Sequence, residues 1–124
     1  MPNYAANLLA IQDAHQRIAA HIHRTPVLTC RTLDDLAGTS LFFKCENFQR
    51  VGAFKMRGAL NAVLSLSQEA AARGVVTHSS GNFAQAVAAS ARIRGIPAHI
   101  VMPENAPGVK RRAVEDYGAR VIPC

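Results

Sequence analysis

Residues 75–102 read VVTHSSGNFAQAVAASARIRGIPAHIVM, and the fold is decided in this stretch. Val75-Val76-Thr77-His78 is a short β-branched run, and Ser79-Ser80-Gly81-Asn82 is a polar turn. The alanine-rich FAQAVAASARIR that follows is good helix-forming material as far as Gly95, and Ala98-His99-Ile100-Val101-Met102 is a second strand. A strand, a helix and a strand in so short a span form a crossover unit, so the two strands run parallel. The pattern repeats downstream: a loop from Pro103 to Gly108, a helix from Val109 to Tyr117 stopped by Gly118, and a strand from Ala119 to Ile122. The β-α-β-α-β order at about 75–124 predicts an α/β fold, a twisted parallel sheet with flanking helices covering its faces.

Upstream, helical spacing runs from Phe54 to Leu66, Ser67 caps a second helical piece, and Gly74 closes it. Leu41-Phe42-Phe43-Lys44-Cys45 reads as a strand, followed by a loop containing Gly52. Thr32 to Ala37 reads as a short helix ended by Gly38, with Asp34 and Asp35 favoured by the dipole of its first turn. Leu8, Leu9, Ile11, Ile18 and Ile22 recur at the spacing of one amphipathic helix over 5–22, ended by Arg24-Thr25-Pro26.

A chain of 124 residues makes one domain with one core, and 49% hydrophobic against 18% charged residues excludes disorder as the main state. The final strand reaches Cys124 with no helix after it, so the sequence looks cut short. The net charge is +6, which suits either nucleic acid or small anions. The densest basic run, Lys110-Arg111-Arg112, is followed by Glu115 and Asp116 and has no interleaved aromatic residue, which argues against a nucleic-acid surface. No apolar run reaches membrane-spanning length and the opening lacks a secretory pattern, so the protein is expected in the cytoplasm and off the membrane. Cys30, Cys45 and Cys124 have no paired spacing and read as reduced thiols. His21 and His23 would face different sides of a helix, so no metal site is expected there.

Two features carry chemistry. Lys55, in Val51-Gly52-Ala53-Phe54-Lys55-Met56-Arg57, stands at a helix start among apolar neighbours; a desolvated lysine is a nucleophile toward carbonyls, whereas a solvated one is plain surface. The Ser79-Ser80-Gly81-Asn82 turn between a strand and a helix is either an anion cradle or ordinary capping chemistry. Both lie at strand-to-helix junctions of one sheet, which strengthens the pair. His78, just before the turn, reads as packed strand-end structure or as a substrate contact.

Glu46 through Ala59, with His78-Ser79-Ser80-Gly81-Asn82, closely resembles the serine racemase and threonine/serine dehydratase family, pyridoxal-phosphate enzymes of the tryptophan-synthase-β fold type. Thr25-Pro26-Val27-Leu28 and the stretch from Ala106-Pro107 to Tyr117-Gly118-Ala119 extend the resemblance over nearly the whole chain. It implies a lyase or isomerase acting on small β-hydroxy amino acids such as serine or threonine, the complete enzyme being a homodimer. Lys55 would be the Schiff-base lysine, Phe54 a wall of the cofactor site, and Asn82 the hydrogen-bond partner of the cofactor's ring oxygen. Ser79, Ser80 and Asn82 would hold the substrate, with Ser80 as the acid/base opposite Lys55. Phe83 stands where the family usually has His, which removes a polar contact near the carboxylate. Lys110 and Tyr117 match nucleotide-contacting positions while Cys30, Arg31, Arg50 and Val51 do not, so ATP and Mg2+ belong to the implied complete enzyme only as candidates. In the family the phosphate loop and metal ligands come later in the chain, so the resemblance implies that residues 1–124 are a single, incomplete N-terminal portion of such an enzyme. The alternative reading is a non-catalytic α/β module.

Overall fold

The computed structural model describes residues 6–124. Helix α1 (Leu8–Ile18), capped by the Asn7 side chain, passes into a 3-10 turn at Ala19–His21. It is shorter than its apolar spacing predicts, and of that spacing only Ile18 is buried, while Leu8, Leu9 and Ile11 are exposed. Strands β1 (Val27–Leu28) and β2 (Phe43–Lys44) pair antiparallel on either side of α2 (Arg31–Ala37), whose C-cap Gly38 takes the left-handed conformation. Asp34 Oδ1 accepts a 2.8 Å hydrogen bond from Leu41 N, which ties the chain after α2 back onto that helix.

Helix α3 (Lys55–Leu64) and α4 (Gln68–Ala72, with Ser67 Oγ accepting from Ala70 N) lead to β3 (Val75–His78). Then come α5 (Asn82–Arg94), β4 (Ala98–Met102), α6 (Gly108–Asp116) and β5 (Arg120–Pro123), the elements expected from the sequence. The strands lie in the order β3-β4-β5, both pairs parallel, with Val75 opposite Ala98 and Ile100 opposite Val121.

That strand order has a consequence for burial. Two successive crossovers of the usual right hand, each moving one place in the same direction, put α5 and α6 on the same side of the sheet. Ala98, Ile100 and Met102 on that side are buried, as are Ala84, Ala86, Val87, Ala88 and Ala91 of α5. Val76, His78, Arg120 and Ile122 point to the opposite side and are exposed, so among the described residues helices cover one face rather than both. A second apolar cluster, Ile18, Met56, Leu60 and Ala89, joins α1, α3 and α5. The alanines of α5 allow the close approach that its contact with α3 requires.

Candidate active site

The loop that delivers Lys55 is bent and pinned. After β2 come two 3-10 turns, Glu46–Phe48 and Arg50–Gly52, then extended Ala53. Val51 has φ 57, the one non-glycine residue with positive φ among those described, and Gly52 follows at φ 66. A branched residue held left-handed costs about 1–3 kcal/mol and persists only where its surroundings over-determine it. Val51 packs against both apolar clusters, and polar contacts of its neighbours hold the loop on either side. Gln49, 3% exposed, accepts at Oε1 from His23 N and Arg50 N, both at 2.9 Å, and donates through Nε2 to His23 O at 2.8 Å. Arg57 forks onto Glu46, Nε to Oε2 and Nη2 to Oε1, both 2.8 Å; the Thr25 hydroxyl donates to Oε1 at 2.6 Å. Lys44 Nζ donates to Thr25 O at 2.7 Å. The Arg57 hydrogen bond, with smaller help from the Thr25 hydroxyl and the charges of Arg57 and Lys44, holds the Glu46 carboxyl at a pKa of about 2 against the opposing effect of burial. None of these roles is evident from composition; a Glu and an Arg bracketing a glycine-containing loop was the available signal.

Lys55 is exposed, its ammonium 4.9 Å from the Phe54 ring centroid, and Phe54 is itself 60% exposed. The desolvated setting expected from its apolar neighbours is therefore absent here. Ala53 and Met56 turn into the core while Lys55, next to them in sequence, points to a different side of the helix. At the other junction Ser79 N donates to Val101 O at 3.1 Å, and Ser79 Oγ accepts from Gly81 N at 3.3 Å. Ser79 thus closes the turn, and Ser80, half-buried, and Asn82, exposed at the first position of α5, make no side-chain hydrogen bond to the described residues. His78 is exposed, so the packed structural reading fails for it.

Gly58 and Ala59, one turn after Lys55, line the same 210 Å³ groove as Thr77 and Phe83. Residues three and four positions after Lys55 thus share a groove with Phe83, which directly follows the Ser79–Asn82 turn, and α3 packs along α5. Phe83, 41% exposed, lines this groove with Val63, Val76 and Val87. Tyr117 instead faces a separate 560 Å³ cavity with His23, Arg50 and Arg92, and Lys110, exposed on α6, is not among the residues lining it. No group of three or more His, Cys, Asp or Glu able to hold a metal occurs among the described residues, and no helix of these is long and apolar enough to cross a membrane.

The strands before the two features belong to different sheets, β2 to the antiparallel pair and β3 to the parallel sheet, and not to one sheet as the sequence suggested. A nucleophilic amine and a polar turn at the starts of two packed helices still define a class, α/β proteins whose ligand chemistry gathers at strand-to-helix junctions. The comparisons narrow it. The family model described as "Pyridoxal-phosphate dependent enzyme" matches residues 18–124, and the chain belongs to that family. It is 60% identical over 119 residues to serine racemase of Arabidopsis thaliana, covering 96% of this chain and 36% of that protein. It is 54% identical over 112 residues to L-threo-3-hydroxyaspartate ammonia-lyase of Saccharomyces cerevisiae, covering 90% of this chain and 34% of that protein. The structure of maize serine racemase superposes with a TM-score of 0.91 at 53% identity, over 97% of this chain and 36% of that one. The chain therefore spans about a third of the length of these relatives.

Proposed function

We propose that residues 1–124 form the N-terminal portion of a pyridoxal-phosphate-dependent ammonia-lyase or racemase acting on small β-hydroxy amino acids, serine, threonine or hydroxyaspartate, with 75–124 as the core of its small domain. The observation that carries the reading is the match of residues 18–124 to the pyridoxal-phosphate enzyme family, within which the Lys55 amine stands exposed at the start of α3. The donor set suits the cofactor: a primary amine for an aldehyde carbon, the Phe54 ring as an apolar wall, and the free Asn82 amide for a ring oxygen.

The chemistry supplied by bound pyridoxal phosphate is an electron sink for the pair released at the substrate α-carbon. Lys55 would hold the cofactor through its amine and would take the α-proton on its own face. Ser79, Ser80 and Asn82 orient the substrate carboxylate with backbone N–H groups at the start of α5. Ser80 carries the proton on the opposite face. With one basic face, loss of the α-proton and of the β-hydroxyl as water would release an enamine, which a water molecule hydrolyses to keto acid and ammonia; with two, the α-centre would invert.

The complete enzyme is read as a homodimer in the cytoplasm, where the three free cysteines would stay reduced. ATP and Mg2+ are its candidate effectors; the cavity at Tyr117 offers Arg50 and Arg92 to phosphate, whereas Lys110 lies off it. The test is incubation with pyridoxal phosphate, borohydride reduction and peptide mapping. Label concentrated on Lys55 is the expected result, and label spread evenly over Lys44, Lys55 and Lys110 refutes it.

A further inference from the structure

We propose that Glu46, Arg57 and Thr25 form a positioning clamp that sets the orientation of the Lys55 amine, so that the reactivity of this lysine depends on an ion pair it does not touch. The inference rests on the reading of Lys55 as the cofactor lysine.

The clamp closes the Lys55 loop at its two ends. Glu46 stands just before the loop and Arg57 two residues after Lys55, in the first turn of α3. Their fork of two 2.8 Å hydrogen bonds joins positions eleven residues apart in sequence. A forked guanidinium–carboxylate pair fixes direction as well as distance, which a single point contact does not. The Thr25 hydroxyl, on a residue 4% exposed, adds a third point from a separate segment of chain, and Arg57 Nη2 also reaches His23 O at 3.4 Å. Gln49 pins the middle of the loop to the same segment through both the N–H and the C=O of His23.

Between these pins lies the left-handed Val51. Its strain gives the loop a reason to relax if a pin is lost, and Lys55 begins the helix directly downstream. Lys55 itself makes no hydrogen bond to the described residues; apart from its contact with the Phe54 ring, what places it is the backbone of the first turn. Arg57 anchors the polar side of that turn, while Met56, fully buried, anchors its core side. The pair is only partly exposed, at 29% for Arg57 and 19% for Glu46, whereas the Glu69–Arg73 pair on α4 is open to solvent at 86% and 69%. The second pair is an internal control of similar chemistry away from the loop.

The experiment measures the ratio of reduced pyridoxyl adduct on Lys55 to that on Lys110, with circular dichroism as a check of folding. Glu46→Gln and Arg57→Lys are expected to lower the ratio at least about fivefold, since misplacement of a reacting group by ~1 Å costs up to about a hundredfold. Glu69→Gln should leave it unchanged. Thr25→Val removes a hydroxyl at nearly constant volume and is expected to lower the ratio about twofold, which keeps the test available should Glu46→Gln not fold. An unchanged ratio in folded Arg57→Lys and Thr25→Val overturns the clamp while leaving the assignment of Lys55 intact. A wild-type ratio near one overturns that assignment and the clamp with it.

Discussion

Gly74→Ala separates backbone strain from crowding at the strand that carries the Ser79–Asn82 turn. Gly74 has φ +78, and a methyl group built there would lie 2.6 Å from Pro97 O and 3.0 Å from Pro97 Cβ. The same Pro97 carbonyl accepts the 2.9 Å hydrogen bond from Val75 N that starts the β3-β4 ladder, so it cannot move away without loosening the sheet. Left-handed backbone in an alanine costs about 1–2 kcal/mol. Forcing a methyl group against fixed backbone adds about 1–3 kcal/mol. Gly95→Ala is the control, with φ +72 and nothing within 4 Å of the added carbon, and it should show the first cost alone. Urea unfolding followed by far-ultraviolet circular dichroism reads both. With a slope of about 1–3 kcal/mol per molar urea, Gly74→Ala should unfold roughly 1 M earlier than Gly95→Ala. Equal midpoints for the two variants would refute the crowding argument and leave only the backbone cost common to both.

The folded Glu46 carboxyl titrates at about 2 against 4.5 when unperturbed, so its contribution to stability is complete above pH 4.5 and is lost as pH falls toward 2. Screening on the open side of the pair reduces this to about 1–2 kcal/mol, and Glu46→Gln should flatten that limb of an acid titration of stability. Leu60→Ala, at a fully buried position between α1, α3 and α5, should cost about 2–5 kcal/mol in the same urea assay. In a full-length protein carrying these residues, Ser80→Ala should suppress racemisation far more than elimination from the enantiomer whose α-proton faces Lys55; equal losses would make Ser80 a substrate-positioning group. The 124 residues expressed by themselves should release no measurable keto acid from L-serine, D-serine or L-threonine, because one lysine and one ring contact leave the reacting atoms unfixed.

What could be read along the chain was whatever depends on neighbours in sequence. The βαβ order from Val75 to Ile122 was legible because strand, turn and helix each have a local signature, and Gly38, Gly74, Gly95 and Gly118 mark their ends by tolerating positive φ. Lys55 and the Ser79–Asn82 turn were legible as chemical types at junctions. Tertiary structure alone decided the rest. The exposure of Lys55 depends on which side of α3 meets α5, and apolar neighbours in sequence do not predict it, because adjacent helical residues point in different directions. The setting of Phe83 depends on α3 lying beside it, and the one-sided burial of the sheet on strand order. The Glu46–Arg57–Thr25 clamp joins residues from three separate segments, Thr25 being 21 residues from Glu46 and 32 from Arg57. An ion pair of this kind leaves no periodic trace in the sequence, since its energy comes from distances that exist only once the chain has closed on itself.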